Sequence, residues 1–133
     1  MNTNYSVRYH YERDVAIVDA TGRLVHGEAN YELRELIAGL LGHGYLRILV
    51  NLADVTYVDS SALGALISAQ RDAQSSGGEL RLANAGRRMR DILQLTKLCV
   101  VFAVYPSEET GLASFGAAKE TLPWSTYNLH RVA

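Results

Sequence analysis

A carboxylate and two hydroxyls stand together in this chain, at Asp59, Ser60 and Ser61. The residues before them, 48–58, are rich in the aliphatic and β-branched side chains of a buried strand. The residues after them, 62–70, have the spacing of a helix. Because a helix start exposes backbone N–H groups and the positive end of the helix dipole, this junction places two hydroxyls beside a carboxylate at a polar site.

Asp59 has two interpretations. As a helix N-cap, its carboxylate would accept from the N–H of Ser61 or Ala62 and contribute about 1 kcal/mol, which requires no further function. With Asp54 it would form a general acid/base pair, and a small hydrolase would use Ser60 as its nucleophile. A turn residue plus a cap explains the same two carboxylates more simply.

The histidines do not support such catalysis or a metal site. None of them stands near a second ligand-type residue at a metal-site spacing, so we expect no metal and no cofactor. The chain also lacks a glycine-rich phosphate loop and a Gly-x-Ser-x-Gly elbow. The four histidines are His10, His26, His43 and His130.

Length and charge limit the classes of protein. A chain of 133 residues is the size of one domain with one core. A formal net charge of -1 gives no long-range attraction to nucleic acid or to an anionic membrane. Arg87, Arg88 and Arg90 form a local cluster, which we interpret as a solvated helix face. The single Cys99 is expected to be a small buried hydrophobe. With no apolar run long enough for a bilayer and no signal-peptide pattern, we expect a cytoplasmic protein without membrane insertion.

Hydrophobic periodicity predicts an α/β fold. After a leading hairpin, strands and helices alternate, which indicates helices packed on a mostly parallel sheet. We expect strands over residues 6–11, 15–20, 47–52, 80–83 and 100–105. We expect helices over residues 28–41, 60–74 and 87–96, with a last helix that Ser107 caps and that ends near residues 116–119.

The helix after the junction should present two different faces. At 100° per residue, a side rich in small residues suits close packing on the sheet, and it comprises Ala62, Leu66, Ala69 and Ala73. The other side comprises Ser60, Gly64, Ile67 and Arg71, with Leu63 at its edge. An apolar patch at Ile67 and Leu63 beside an exposed serine is what a switchable protein interface needs. Packing of Ile67 on a neighbouring helix is the alternative.

Several segments together resemble the STAS domain, and more narrowly the bacterial anti-sigma factor antagonists, over about residues 15–115. The segments lie in the order and at the distances of that family. They are Thr21-Gly22-Arg23-Leu24, Asp59-Ser60-Ser61-Ala62-Leu63-Gly64, Gly77-Gly78-Glu79-Leu80 and Leu95-Thr96-Lys97-Leu98.

The resemblance implies a STAS fold and a switch that is not an enzyme. The unmodified protein would bind an anti-sigma factor serine kinase and so release a sigma factor. The kinase, which holds the ATP, would phosphorylate Ser60, with Ser61 as the less accessible competitor, and a serine phosphatase would reset the switch. The partner surface implied by the resemblance and the helix faces comprises Asp59, Ser60, Ser61, Leu63, Gly64, Ile67, Arg71, Arg23 and His26. Two alternatives in the same family are a stressosome-like scaffold subunit and a subunit of a lipid-transporter complex.

The chain departs from the family pattern at one place, and its C-terminal residues lie outside the resemblance. Val25-His26-Gly27-Glu28 replaces the Asp and Thr-Ala that many antagonists carry there, which affects partner identity more than fold. Residues 1–119 would form the STAS domain and residues 120–133 a C-terminal extension. We expect Trp124 in that extension to dock on this domain or on a second copy, which would make a homodimer.

Overall fold

The computed structural model describes residues 4–24, 28–97 and 102–116. Within those residues the chain forms five strands and four helices, which alternate after the first two strands. The elements are β1 (Asn4–His10), β2 (Val15–Leu24), α1 (Glu28–Gly42), β3 (Arg47–Val58), α2 (Ser60–Ser75), β4 (Glu79–Ala83), α3 (Arg87–Leu95), β5 (Val104–Tyr105) and α4 (Glu108–Ser114).

The strands form one sheet in the order β1-β2-β3-β4-β5. The leading hairpin pairs β1 antiparallel to β2. The other neighbours, β2 with β3, β3 with β4, and β4 with β5, are parallel. The α/β architecture with a leading hairpin and a mostly parallel sheet is therefore confirmed.

The sheet separates two apolar clusters. Because side chains alternate along a strand, Val18 and Val50 face one side while Ile17 and Leu49 face the other. The larger cluster includes side chains of α1, α2 and α3. The smaller one is covered by Leu112 of α4, with Phe115 just after that helix. The helix that carries the serine junction thus packs on the more extensively covered face.

Small side chains bring α2 close to the sheet. Ala62, Ala69 and Ala73 are each 0% exposed, as the predicted packing face requires. Gln70 is also buried, and its Oε1 accepts from the N–H of Leu80 in β4 at 2.9 Å. A polar side chain therefore fixes the position of α2 against a strand, which apolar contact alone does not do.

A polar network joins the sheet to α4. Arg8 donates to both carboxylate oxygens of Asp19, at 2.6 and 2.9 Å, and to both oxygens of Glu108, at 2.6 and 3.1 Å. Arg8 holds the pKa of Asp19 below its usual range by hydrogen bonding. Asn51 donates to Asp19 and accepts from Asn84, each at 2.8 Å. Asn51 therefore has a structural role in this network.

Three strands, β2, β3 and β5, differ clearly from the predicted bounds. Ala53 and Asp54 interrupt the apolar pattern, which predicted an end at residue 52, yet β3 continues to Val58. It does so because β2 is also longer than predicted and pairs with β3 as far as Leu24 opposite Val58, through register shifts. The last strand was predicted over residues 100–105, and it is Val104–Tyr105 within the described residues.

The last helix also ends earlier than predicted. It stops at Ser114 and not near residues 116–119, because Gly116 adopts a left-handed conformation (φ 71°) of the kind that ends helices. The predicted Ser107 cap is confirmed as a capping box with Thr110. Cys99, the domain boundary at residue 119 and the predicted C-terminal extension lie outside the described residues.

We predict that Gln70→Leu lowers the free energy of unfolding by about 1–3 kcal/mol, because it leaves the buried N–H of Leu80 without its acceptor. Gln74→Leu, the same change at an exposed position of the same helix, is the control and should change stability by less than about 0.5 kcal/mol. Urea denaturation measures both. Equal losses in the two variants would contradict the role given to Gln70.

Candidate functional site

The junction between β3 and α2 is organised by Asp59. Its backbone is extended (φ -110°, ψ 179°), and its side chain accepts from the N–H of Ala62 at 3.0 Å. Its own N–H donates to the carbonyl of Leu24, the last residue of β2, at 3.0 Å. The predicted cap is confirmed, with Ala62 as the donor. Asp59 therefore ties the end of the β2–β3 pair to the start of the helix.

Ser60 and Ser61 are the first two residues of α2, and both are exposed. The first turn of the helix contains no acidic side chain, so Asp59 is the carboxylate that flanks the hydroxyls. Ser61 was expected to be less accessible than Ser60. Because both fall in the exposed class, burial does not separate the two hydroxyls, and only their places on the helix do.

The prediction of an exposed face on α2, with Ile67 and Leu63 as its apolar patch, is partly wrong. Leu63 is 5% exposed and belongs to the larger core cluster. Ile67 is half-buried and packs against that same cluster. Leu63 lies on the same side of α2 as Gln70, whose side chain bonds to β4, so the core covers more of the helix than the predicted packing face. The exposed residues of this face are Ser60, Gly64 and Arg71, with one side of Ile67 at their margin.

Arg23 lies at the same end of the sheet as the serines. It pairs with Tyr57 of β3 in the strand register, one residue before the Leu24 that bonds to Asp59. Its Cζ is 5.1 Å from the centroid of the Tyr57 ring, a cation–π distance. His26 and the segment that departs from the family pattern lie outside the described residues.

The sequence did not reveal a second arginine near Tyr57. Arg88, at the start of α3, places its Cζ 5.3 Å from the same ring centroid. The arginines of α3 were interpreted as a solvated face, and all three are indeed exposed. Only the fold brings Arg88 to Tyr57, so no local sequence pattern marked the pair.

The described histidines lie far from the serines along the sheet. His10 ends β1 and pairs with Val15, at the start of β2, while His43 follows α1 and its ring bonds to the carbonyl of Gly39. Both therefore stand at the opposite end of the parallel strands from Ser60. Across residues 4–24, 28–97 and 102–116, no group of three His, Cys, Asp or Glu side chains is placed to hold a metal ion.

The described part of the chain also has no helix that is both long and apolar enough to cross a membrane.

Comparison with known proteins identifies the family. Residues 7–111 match the STAS domain, which is most of the chain, so the protein belongs to the STAS domain family. A protein of Thermotoga neapolitana, named provisionally as an anti-sigma factor antagonist, is 28% identical over 97 residues, covering 73% of this chain and 86% of that protein. The anti-sigma F factor antagonist of Paenibacillus polymyxa is 21% identical over 109 residues, covering 82% and 93%.

Solved structures share the fold. An anti-sigma factor antagonist from Mycobacterium paratuberculosis superposes with a TM-score of 0.74 at 19% identity, covering 86% of this chain and 94% of that one. The anti-sigma factor antagonist SpoIIAA in its unphosphorylated form gives a TM-score of 0.63 at 20% identity, covering 80% and 92%. SpoIIAA of Bacillus in its phosphorylated form gives 0.65 at 21% identity, covering 84% and 98%.

We predict that Asp59→Ala lowers the free energy of unfolding by about 1 kcal/mol, because the Ala62 N–H loses its acceptor at the helix start. Asp59→Asn should retain most of the stability, since an amide oxygen also caps. Chemical denaturation of both variants measures the difference. If Asp59→Asn lowered the free energy of unfolding as much as Asp59→Ala does, Asp59 would contribute through its charge and not through the capping hydrogen bond.

Proposed function

We propose that this protein is an anti-sigma factor antagonist that acts as a protein-binding switch in the cytoplasm. In this proposal the unphosphorylated protein binds an anti-sigma factor serine kinase and so releases a sigma factor. Phosphorylation of Ser60 ends that binding, and a serine phosphatase restores it. The names of the STAS relatives, which include anti-sigma factor antagonists, support the class.

The observation that carries the proposal is the exposed hydroxyl of Ser60 at the first position of a rigidly held helix. A kinase must fit its substrate serine in one geometry. Here Asp59 fixes the backbone on one side of Ser60, and the buried alanines of α2 fix it on the other. SpoIIAA, which shares the fold, has been solved in both phosphorylated and unphosphorylated forms, which supports a phosphorylation switch on this fold.

The physical effect of the phosphate is local. It would add about -1.5 to -2 charges at pH 7 beside the carboxylate of Asp59. At a helix N-terminus the dipole favours such a charge, so the fold itself should tolerate it. A partner that covers Ser60 would instead have to desolvate or repel it, which weakens the complex. The switch would therefore act on binding and leave stability almost unchanged.

We predict that Ser60→Asp weakens binding to the kinase by about tenfold or more, because like charge at an interface costs several kcal/mol. Ser60→Ala should bind constitutively. The kinase is first recovered from native cytoplasm as a copurifying ATP-binding serine kinase, and calorimetry then measures affinity. Mass spectrometry after incubation with the kinase and ATP should place the phosphate on Ser60.

Ser61→Asp is the matched control, since it adds the same charge one residue away at an equally exposed position. It should leave the phosphate on Ser60 and weaken binding less than Ser60→Asp does. A phosphate found only on Ser61 would sink the assignment of Ser60. Recovery of the protein in a large scaffold or with a membrane transporter, and without a kinase, would instead select one of the other STAS roles.

We also predict that Ile67→Ala reduces affinity for the kinase, because Ile67 stands two turns from Ser60 with one side at the surface. As a half-buried residue it should also lose stability, by less than the 2–5 kcal/mol that is typical of fully buried Ile or Leu. Leu41→Ala is the control: Leu41 is half-buried against the same core, at the opposite end of the sheet. Equal affinity losses in both variants would mean that Ile67 acts only through stability.

A further inference from the structure

Among the residues that the structure describes, none forms a strand beside the second half of β3 on the edge that faces β4. β4 pairs with β3 only from Arg47 to Asn51. The chain then turns at Asn84 (φ 61°) and enters α3. The β3 edge beyond Asn51 therefore faces the start of α3, and a half-open cavity of about 180 Å³ lies between them.

This cavity has an apolar floor and a basic rim. Its buried lining residues are Leu52, Val58 and Met89, which are 3%, 7% and 4% exposed. Arg87 and Arg88 line it as exposed residues. Sites for drug-sized ligands span roughly 300–1,000 Å³, so this volume suits one inserted side chain better than a whole nucleotide. We refer to it as the arginine–tyrosine cavity, after Arg87, Arg88 and Tyr57 in its lining.

Two cations lie near Tyr57, which lines the cavity together with Arg88. The guanidinium carbons of Arg23 and Arg88 lie 5.1 and 5.3 Å from the centroid of the Tyr57 ring. For Arg88, stacking on an aromatic ring orients the guanidinium while the N–H groups at its edge can still reach a carboxylate. Among the described residues, Arg88 forms no ion pair with an acid. The rim thus presents oriented positive charge over an apolar floor.

We infer that the arginine–tyrosine cavity receives an acidic side chain from a segment of the protein partner. A glutamate matches both parts of it: the methylene stem covers the Leu52 and Met89 floor, and the carboxylate bonds to Arg88. Nucleic acid fits less well, because the chain as a whole carries a net charge of -1. Val58 lines the cavity two residues before Ser60, so the same partner spans both. The identity of that partner rests on the proposed function.

The test is a titration that needs no kinase. A capped hexaglutamate peptide is added to ¹⁵N-labelled full-length protein, with hexaglutamine as the neutral control. Hexaglutamate should shift the amide signals of Tyr57 and Arg88, and hexaglutamine should not. Arg88→Glu should weaken the binding of hexaglutamate by about tenfold or more, because it replaces attraction by repulsion. Arg90→Glu, the same charge change on the same helix outside the cavity lining, should change affinity by less than about threefold.

The outcomes separate the alternatives. Shifts that map elsewhere, or equal losses in the two variants, would overturn the inference. So would inorganic phosphate or an oligothymidylate that binds at Arg88 while hexaglutamate does not. Thermal melts show that each variant is folded, and Arg88→Gln provides a milder change if Arg88→Glu does not fold.

The same variants distinguish this inference from the proposed function. Kinase binding that depends on Ser60, with Arg88→Glu and Arg90→Glu equal to wild type, would sink the cavity assignment alone. The converse result is that hexaglutamate binds at Arg88 while no serine kinase copurifies with the protein. That result would contradict the proposed partner but leave the site for an acidic segment supported.

Discussion

The site depends on one residue that bonds to two elements at once. Asp59 closes the β2–β3 pair through its N–H, which donates to Leu24, and starts α2 through its carboxylate, which accepts from Ala62. Ser60 is the next residue, so its position follows from both bonds. Parallel strands gather their carboxyl ends at one edge of a sheet, and this edge is where ligands of open α/β sheets bind. The candidate phosphoacceptor stands there because the cap places it.

The helix that begins at Ser60 is held against the sheet by close packing and by a buried hydrogen bond. Three alanines at 0% exposure allow close approach to the sheet, and the Gln70 bond to Leu80 fixes the helix along a strand. Burial of Leu63 against the core removes a residue from the surface and adds it to this support. A rigid platform lowers the entropy that a kinase or a binding partner must remove on association. In the proposed function, the core packing would therefore contribute to recognition without touching the partner.

The sequence was sufficient where the determining interactions are local. The Asp59 cap, the Ser107 cap and the alternation of strands with helices were all predicted, because each depends on neighbours within a few residues. The sequence-based predictions failed where an element distant in the chain determines the burial, length or contacts of a segment. Leu63 is buried on the side of α2 that carries Gln70, whose side chain bonds to the distant strand β4. β3 passes Ala53 and Asp54 because β2 follows it with register shifts. The Arg88 contact with Tyr57 joins residues from separate elements, which no local period reveals.

Charge distribution, and not total charge, explains how so neutral a chain could work as an electrostatic switch. The net charge of -1 hides a separation at one end of the sheet, where Arg23 and Arg88 flank Tyr57 while Asp59 stands beside Ser60. The Debye length is about 8 Å at physiological salt, so a partner senses these groups individually. A phosphate on Ser60 would change the field where the partner touches and nowhere else. A local change of this kind alters binding without altering the fold, because Arg8, Asp19 and Glu108 hold α4 through a separate network on the other face.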